Sequence, residues 1–276
     1  MKIVLAGSPG ISVPAFEEVI KNFEVVGIVT QPDRKKGRGM KITETKVSKL
    51  AKKYNIQIFK PEKISLIARE LELLNFDLFL TFAFGQYIPQ SILKLGKHKP
   101  LNIHGSLLPK YRGAAPIHHA ILNGEQEIGI TLMEMIKEMD AGDIVFKASQ
   151  TIDEETTTGD AFNIIADLAK QNIVAWMSKI ETKDFSFTPQ SKEFTLSPKI
   201  TKEECQLLPG MGINDVKRKI KGFNPYPGAY IIINDIRLKI FSFSSVEIKD
   251  SIELVFKDGV IYANDFQWEN KKRIIL

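Results

Sequence analysis

The chain has 276 residues, 43% of them hydrophobic and 26% charged, with 38 Lys and Arg against 33 Asp and Glu and a formal net charge of +5. This is the composition of a globular protein long enough for one large and one small domain, and it excludes a disordered or fibrous chain. One cysteine, Cys205, rules out an intrachain disulfide and a Cys-based zinc site, and no apolar run approaches the roughly 18–20 residues of a membrane helix. The N-terminal MKIVLAGSPG turns to Gly and Pro too early for a signal peptide, so a cytoplasmic location is expected. The cationic excess suits an anionic partner such as nucleic acid without specifying it.

Residues 2–6, 24–30, 56–59, 78–83 and 101–104 are short runs rich in Val, Ile, Leu and Phe, and they predict strands. Helical periodicity falls between them, at 15–21, 46–54 and 65–74. That alternation predicts an α/β, Rossmann-like domain with a mostly parallel sheet covered on both faces. Strands at 129–135 and 144–149 follow, then a helix at 159–180 capped by the threonines at 156–158. Residues 182–200 are polar, carry Pro189 and Pro198, and read as a linker. An amphipathic stretch at 213–220 leads into two hairpins, with strands at 229–233 and 237–243 turning at Asn234-Asp235 and strands at 254–256 and 260–262 turning at Lys257-Asp258-Gly259. The expected domains are 1–181 and 202–276, with a linker at 182–201 and a small β-barrel in the second.

The stretch LNIHGSLLPKYRG, 101–113, carries the densest chemistry. Asn102 and His104 stand two residues apart at a strand end, so both side chains project to one side. Ligands of parallel sheets sit beyond such strand ends. Downstream, EMDAGD offers the carboxylate of Asp140 in a loop between two apolar runs. An amide donor, an imidazole and a carboxylate suit acyl transfer to an amine, which needs oxyanion donors and proton transfer but no Ser or Cys nucleophile. GSPG at 7–10 lacks the dinucleotide-binding glycine spacing and predicts a strand-to-helix turn. His118 and His119 are adjacent, not i and i+4, and predict a partly exposed pair without metal. QPDRKKGRGMK, 31–41, gathers Arg34, Lys35, Lys36, Arg38 and Lys41 in a glycine-containing loop suited to tracking phosphates.

These motifs resemble the formyltransferases that use 10-formyltetrahydrofolate. The likeness runs through nearly the whole chain and is densest at TQPDRKKGRG, 30–39, and from Asn102 to Gly142; TFAFG, 81–85, and FNPYPGAY, 223–230, add to it. The resemblance implies an OB-like C-terminal domain and catalytic roles for Asn102, His104 and Asp140. It implies a folate pocket drawing on Phe84, Gly85, Gly142 and the turn Ser106, Leu107, Leu108 and Pro109. Within that family the basic loop marks enzymes whose acceptor is methionyl initiator tRNA, so Arg34, Lys35, Lys36, Arg38 and Lys41, with Lys217 and Arg218, are expected to bind the tRNA. No metal and a monomer are expected. A sugar-nucleotide N-formyltransferase using the same donor is the alternative enzyme. A non-catalytic RNA-binding protein would have no need of the Asn-His-Asp set.

Overall fold

A computed structural model describes residues 1–36 and 39–276, and for Lys36 the backbone alone. The sequence expectation at Arg38 therefore lies outside the described residues. The chain folds into two compact units. The first comprises Met1–Gly113, Gly129–Gln150 and Asn163–Leu196, the second Ala114–Ile128, Thr151–Phe162 and Ser197–Leu276.

The first unit is built on a seven-stranded sheet. Its order is Ile144–Thr151, Glu127–Glu134, Leu101–His104, Leu78–Phe82, Lys2–Gly7, Glu24–Val29, Ile58–Phe59. The five strands from Leu101–His104 to Ile58–Phe59 pair in parallel, whereas Leu101–His104 meets Glu127–Glu134 antiparallel. Leu78–Phe82 is buried at every position, and Lys2–Gly7 at all but its first. That is why each reads as a continuous apolar run rather than an alternating one. Gly7 allows the expected turn to form: a Cβ there would come within 2.6 Å of the Phe16 ring and 2.8 Å of the Phe82 carbonyl. A short 3-10 turn, Gly10–Ser12, then leads into helix Val13–Asn22, with Pro14 in its first turn, where a missing N–H costs nothing. Helix Lys46–Lys53 is capped by Thr45, whose hydroxyl accepts from the Ser48 N–H.

Three segments differ from the pattern expected of them. The helix foreseen at 65–74 divides into a 3-10 turn, Ile64–Ile67, and a short helix, Ala68–Leu73. The basic stretch carries a two-stranded ribbon, Arg34–Lys36 against Lys41–Thr43, with Gly39 at φ +95° near its return. Three-residue strands of charged side chains leave no apolar alternation to read. The strand expected at 260–262 runs from Gly259 to Trp268, because Ala263 and Phe266 continue its buried face past the turn-like Asn264-Asp265.

The second unit has an antiparallel five-stranded sheet. Its order is Ala229–Ile233, Ile236–Ser244, Gly259–Trp268, Ile252–Phe256, with Ile274–Ile275 also paired to Gly259–Trp268. Both hairpins form where expected, and the arrangement fits the expected OB-like unit. Helix Ile213–Phe223 lays Val216, Ile220 and Phe223 on a core with Leu238, Ile240, Ile261 and Phe266. Helix Pro116–Leu122 belongs to this unit. Its Leu122 comes so close to Gly222 that a Cβ there would stand 2.5 Å from Leu122 Cδ2.

Candidate active site

Asn102 and His104 lie on the last parallel strand of the first unit, His104 at its carboxyl end. Asn102 is opposite Thr81 on one neighbouring strand and Met133 on the other. The Thr81 hydroxyl donates to Asn102 Oδ1 at 2.6 Å. The amide oxygen is thereby engaged, and among the described residues Nδ2 makes no hydrogen bond. It is a donor held in place and still unused.

His104 is buried, with 5% of its surface exposed. Its Nε2 lies 2.8 Å from the Tyr111 carbonyl oxygen, which can only accept, so Nε2 carries the proton. Nδ1 then faces Asp140, 3.7 Å from Oδ2. Asp140 Oδ2 in turn accepts from the Gly113 N–H at 2.9 Å. The structure thus brings all three expected catalytic side chains to one strand end, and they reach it on unusual backbone. Tyr111 at φ +63° and Asp140 at φ +52° are in the left-handed region, which Asp tolerates better than Tyr. Tyr111 is held there by its N–H donating to Thr195 Oγ1 at 2.8 Å and by Arg112 N–H donating to the Thr195 carbonyl.

The turn after His104 is pinned to the neighbouring strand. Thr131, opposite His104 in register, donates to the Ser106 carbonyl at 2.7 Å and accepts from the Leu108 N–H at 3.0 Å. Ser106 Oγ donates to the Lys110 carbonyl, Leu108 is fully buried, and the Pro109 carbonyl accepts from Thr195 N–H. Leu107 packs so close to Gly129 that a Cβ there would meet it at 2.6 Å.

A cavity of about 380 Å³ lies at the amino-terminal end of strand Leu101–His104, the end away from His104, lined by Leu93, Pro100, Met135 and Ile136, with Glu134 and basic side chains from residues 94–99. Met135 connects it to the site: its sulfur is 3.4 Å from Thr81 Oγ1, the group that holds Asn102. The expected folate residues Phe84, Gly85 and Gly142 do not line this cavity. Phe84 is buried in the cluster against which Met135 packs, and Gly142 fits so tightly on Glu134 that a Cβ would fall 2.1 Å from its carbonyl oxygen. The Phe84 carbonyl accepts from Ser8 Oγ and Gln31 Nε2, tying the Gly85 turn (φ +80°) to the start of the basic segment.

Of the expected tRNA residues, Arg34, Lys35 and Lys41 are exposed on the two-stranded ribbon, and Arg34 pairs with Glu62. Lys217 and Arg218 are on helix Ile213–Phe223 of the second unit, Lys217 over the Phe243 ring at 5.9 Å. His118 and His119 are partly exposed as expected. Each has a ring nitrogen donating to a backbone carbonyl, of Tyr226 and Pro198 respectively, and His118 packs edge-on against Phe162. Burial holds His118 below the usual imidazole range and pushes the Cys205 thiol up to about 11.

Three contributors were invisible in the sequence. Thr81 and Thr131 look like ordinary strand residues until register places them opposite Asn102 and His104. Gln190, in the polar stretch after the long helix Thr158–Glu181, bonds to Arg112 and to the Asp140 loop. No periodicity or motif marks it.

Residues 10–177 match the formyl transferase family, and residues 199–274 match the formyl transferase C-terminal domain. The chain is 46% identical over 278 residues to methionyl-tRNA formyltransferase of Mycoplasmopsis pulmonis (strain UAB CTIP), covering 100% of this chain and 96% of that one. Its fold is like that of an N-formyltransferase from Helicobacter canadensis solved with folinic acid and dTDP-3-aminofucose, with a TM-score of 0.72 at 18% identity over 95% of this chain and 98% of that chain. It is also like HypX from Aquifex aeolicus in complex with tetrahydrofolic acid, with a TM-score of 0.71 at 19% identity, where 100% of this chain spans 45% of the larger one.

Proposed function

This chain belongs to the formyl transferase family, and from that premise we propose that it moves a formyl group from 10-formyltetrahydrofolate to the α-amine of methionyl initiator tRNA, in the cytoplasm, in preparation for translation initiation. The single observation that carries the chemistry is Asn102 with its amide donor unused, beside a His104–Asp140 pair at the end of the last parallel strand.

The roles follow from that geometry. The α-amine attacks the formyl carbon, and a C–N bond forms as the carbonyl π pair moves onto oxygen. Asn102 Nδ2–H stabilises that oxygen. The oxygen pair then re-forms the carbonyl as the bond between the formyl carbon and the folate nitrogen breaks; the attacking nitrogen gives up a proton and the departing folate nitrogen takes one. His104 and Asp140 manage both transfers, Asp140 orienting an imidazole whose far nitrogen is committed to the Tyr111 carbonyl. The pterin end of the donor lies beyond the carboxyl ends of strands Leu78–Phe82 and Leu101–His104. Phe84 and Gly85, just after strand Leu78–Phe82, and Gly142, in the loop of Asp140, receive it there. Ser106, Leu107, Leu108 and Pro109 act on the donor through the turn they build. Arg34, Lys35, Lys36, Arg38 and Lys41, with Lys217 and Arg218, meet tRNA phosphates.

The likeness to the Helicobacter canadensis enzyme favours a second reading, an amino-sugar nucleotide as acceptor. The basic ribbon weighs against it, since a small acceptor has few phosphates to meet. An acceptor test separates them: with 10-formyltetrahydrofolate present, charged methionyl initiator tRNA should be formylated and amino-sugar nucleotides should not. Formylation of the sugar alone would reverse the assignment.

A further inference from the structure

We propose that Gln190 is a positioning residue that sets the distance between Asp140 and His104, an inference that rests on the catalytic reading of that pair. Its side chain uses every hydrogen-bonding site it has. Oε1 accepts from Arg112 Nε at 2.9 Å and from Arg112 Nη2 at 2.8 Å. Nε2 donates to the Asp140 carbonyl at 2.9 Å and to the Gly142 carbonyl at 2.7 Å. One amide therefore joins the two segments whose spacing decides the site. Arg112 precedes Gly113, whose N–H holds Asp140 Oδ2, and follows Tyr111, whose carbonyl holds His104 Nε2. On the other side, Asp140 and Gly142 are clamped through backbone, so the grip does not depend on the Asp140 carboxylate.

The clamp works against resistance, which is why a loop bond has catalytic weight. Asp140 takes a left-handed φ that a free chain visits seldom, and Gly142 sits against the Glu134 carbonyl with no room for a Cβ. The Arg112 guanidinium is itself fixed, stacked over the Phe194 ring at 4.4 Å. Amide is the one chemistry that serves both sides, since Gln190 must accept from a cation and donate to two carbonyls. Glutamate would retain the Arg112 bonds and lose the donors, setting a carboxylate oxygen against two carbonyl oxygens. A displacement of about 1 Å at a catalytic group costs on the order of 10²-fold in rate.

The test uses Gln190→Glu and the near-isosteric Gln190→Met, with Ser191→Ala as a local control whose hydroxyl, among the described residues, bonds only to the Glu193 carbonyl. Both Gln190 variants should lose roughly 10- to 100-fold in kcat with KM for the tRNA within about twofold, and Ser191→Ala should match the wild type. Independently of any substrate, the Gly113 amide proton should resonate downfield in the folded wild type, because it is bonded to a carboxylate; Asp140→Asn identifies that resonance. It should move upfield in Gln190→Glu and Gln190→Met well below their melting temperatures. A variant that lowers the melting temperature alone, with the Gly113 resonance and kcat unchanged, overturns the proposal. Should the acceptor or the chemistry prove different, the Gly113 resonance would still report on the clamp.

Discussion

Thr81 Oγ1 donates to Asn102 Oδ1 across a parallel strand pair, and that bond decides which end of the Asn102 amide faces the reaction. An amide free to rotate would present oxygen as readily as nitrogen to a developing negative charge. Thr81→Val keeps the shape of a side chain only 2% exposed and removes the hydroxyl. kcat should fall about tenfold, equivalent to about 1.4 kcal/mol of transition-state stabilisation, with little change in melting temperature. Asn102→Ala, which deletes the donor outright, should cost on the order of 10²- to 10³-fold. Equal turnover in wild type and Thr81→Val would show that the amide needs no such orientation.

His104 and Asp140 act on the transition state, so their loss should leave donor affinity nearly intact. Asp140→Asn preserves an acceptor for the Gly113 N–H and removes the charge facing His104. We expect roughly 10²-fold loss of kcat in Asp140→Asn and in His104→Ala. A folate analogue titrated by calorimetry should bind both variants within about threefold of wild type. Turnover within a few-fold of wild type in both would remove the mechanism.

The basic ribbon decides the acceptor. Lys35 and Lys41 are exposed and, among the described residues, form no ion pair, whereas Arg34 is engaged by Glu62. Lys35→Gln with Lys41→Gln should therefore weaken tRNA binding more than Arg34→Gln alone. The slope of log K against log salt should shallow by about 0.7 to 0.9 for each phosphate that is no longer neutralised. Donor binding, measured without tRNA, should be unchanged. A salt slope identical to wild type in the double variant would deny the ribbon its role.

His118 makes stability depend on mildly acidic pH. Burial depresses its folded value, while the unfolded chain takes up the proton near 6.5. The folded state thus favours the neutral ring. Its contribution is complete above the unfolded value and is lost as pH falls through the folded one. The Tyr226 carbonyl and the neighbouring His119 also act on the ring, in opposite senses and less strongly than burial. Wild-type melting temperature should decline from about pH 7 to 5, and His118→Gln, which has nothing to protonate, should flatten that decline. Parallel curves would assign the acid sensitivity elsewhere.

Much of this was legible because two regularities coincide in the chain. Strands buried on both faces must be largely apolar, so Lys2–Gly7 and Leu78–Phe82 announce themselves. The i, i+2 rule then brings Asn102 and His104 together without any knowledge of the fold. Asp140 was readable as a carboxylate in a loop between strands. Thr81, Thr131 and Gln190 were not, because each acts through long-range hydrogen bonds, and such bonds leave no periodic trace. The ribbon at Arg34–Lys36 was hidden for a related reason: its strands are too short and too charged to alternate. The Met135 cavity is formed by a strand end and a short helix meeting in space, which spacing along the chain does not record.

The close fit of Leu122 on Gly222 has a consequence for how the chain is made. Helix Pro116–Leu122 emerges from the ribosome amid residues of the first unit, yet its packing partner is synthesised only near the end. Until then Leu122, which packs against that later core, waits without cover. Pairings so distant in sequence slow folding and expose a nascent chain to aggregation. A polypeptide ended after the long helix Thr158–Glu181 would leave Leu122 uncovered permanently. Co-expression of the missing C-terminal portion should restore to such a fragment the solubility it lacks alone.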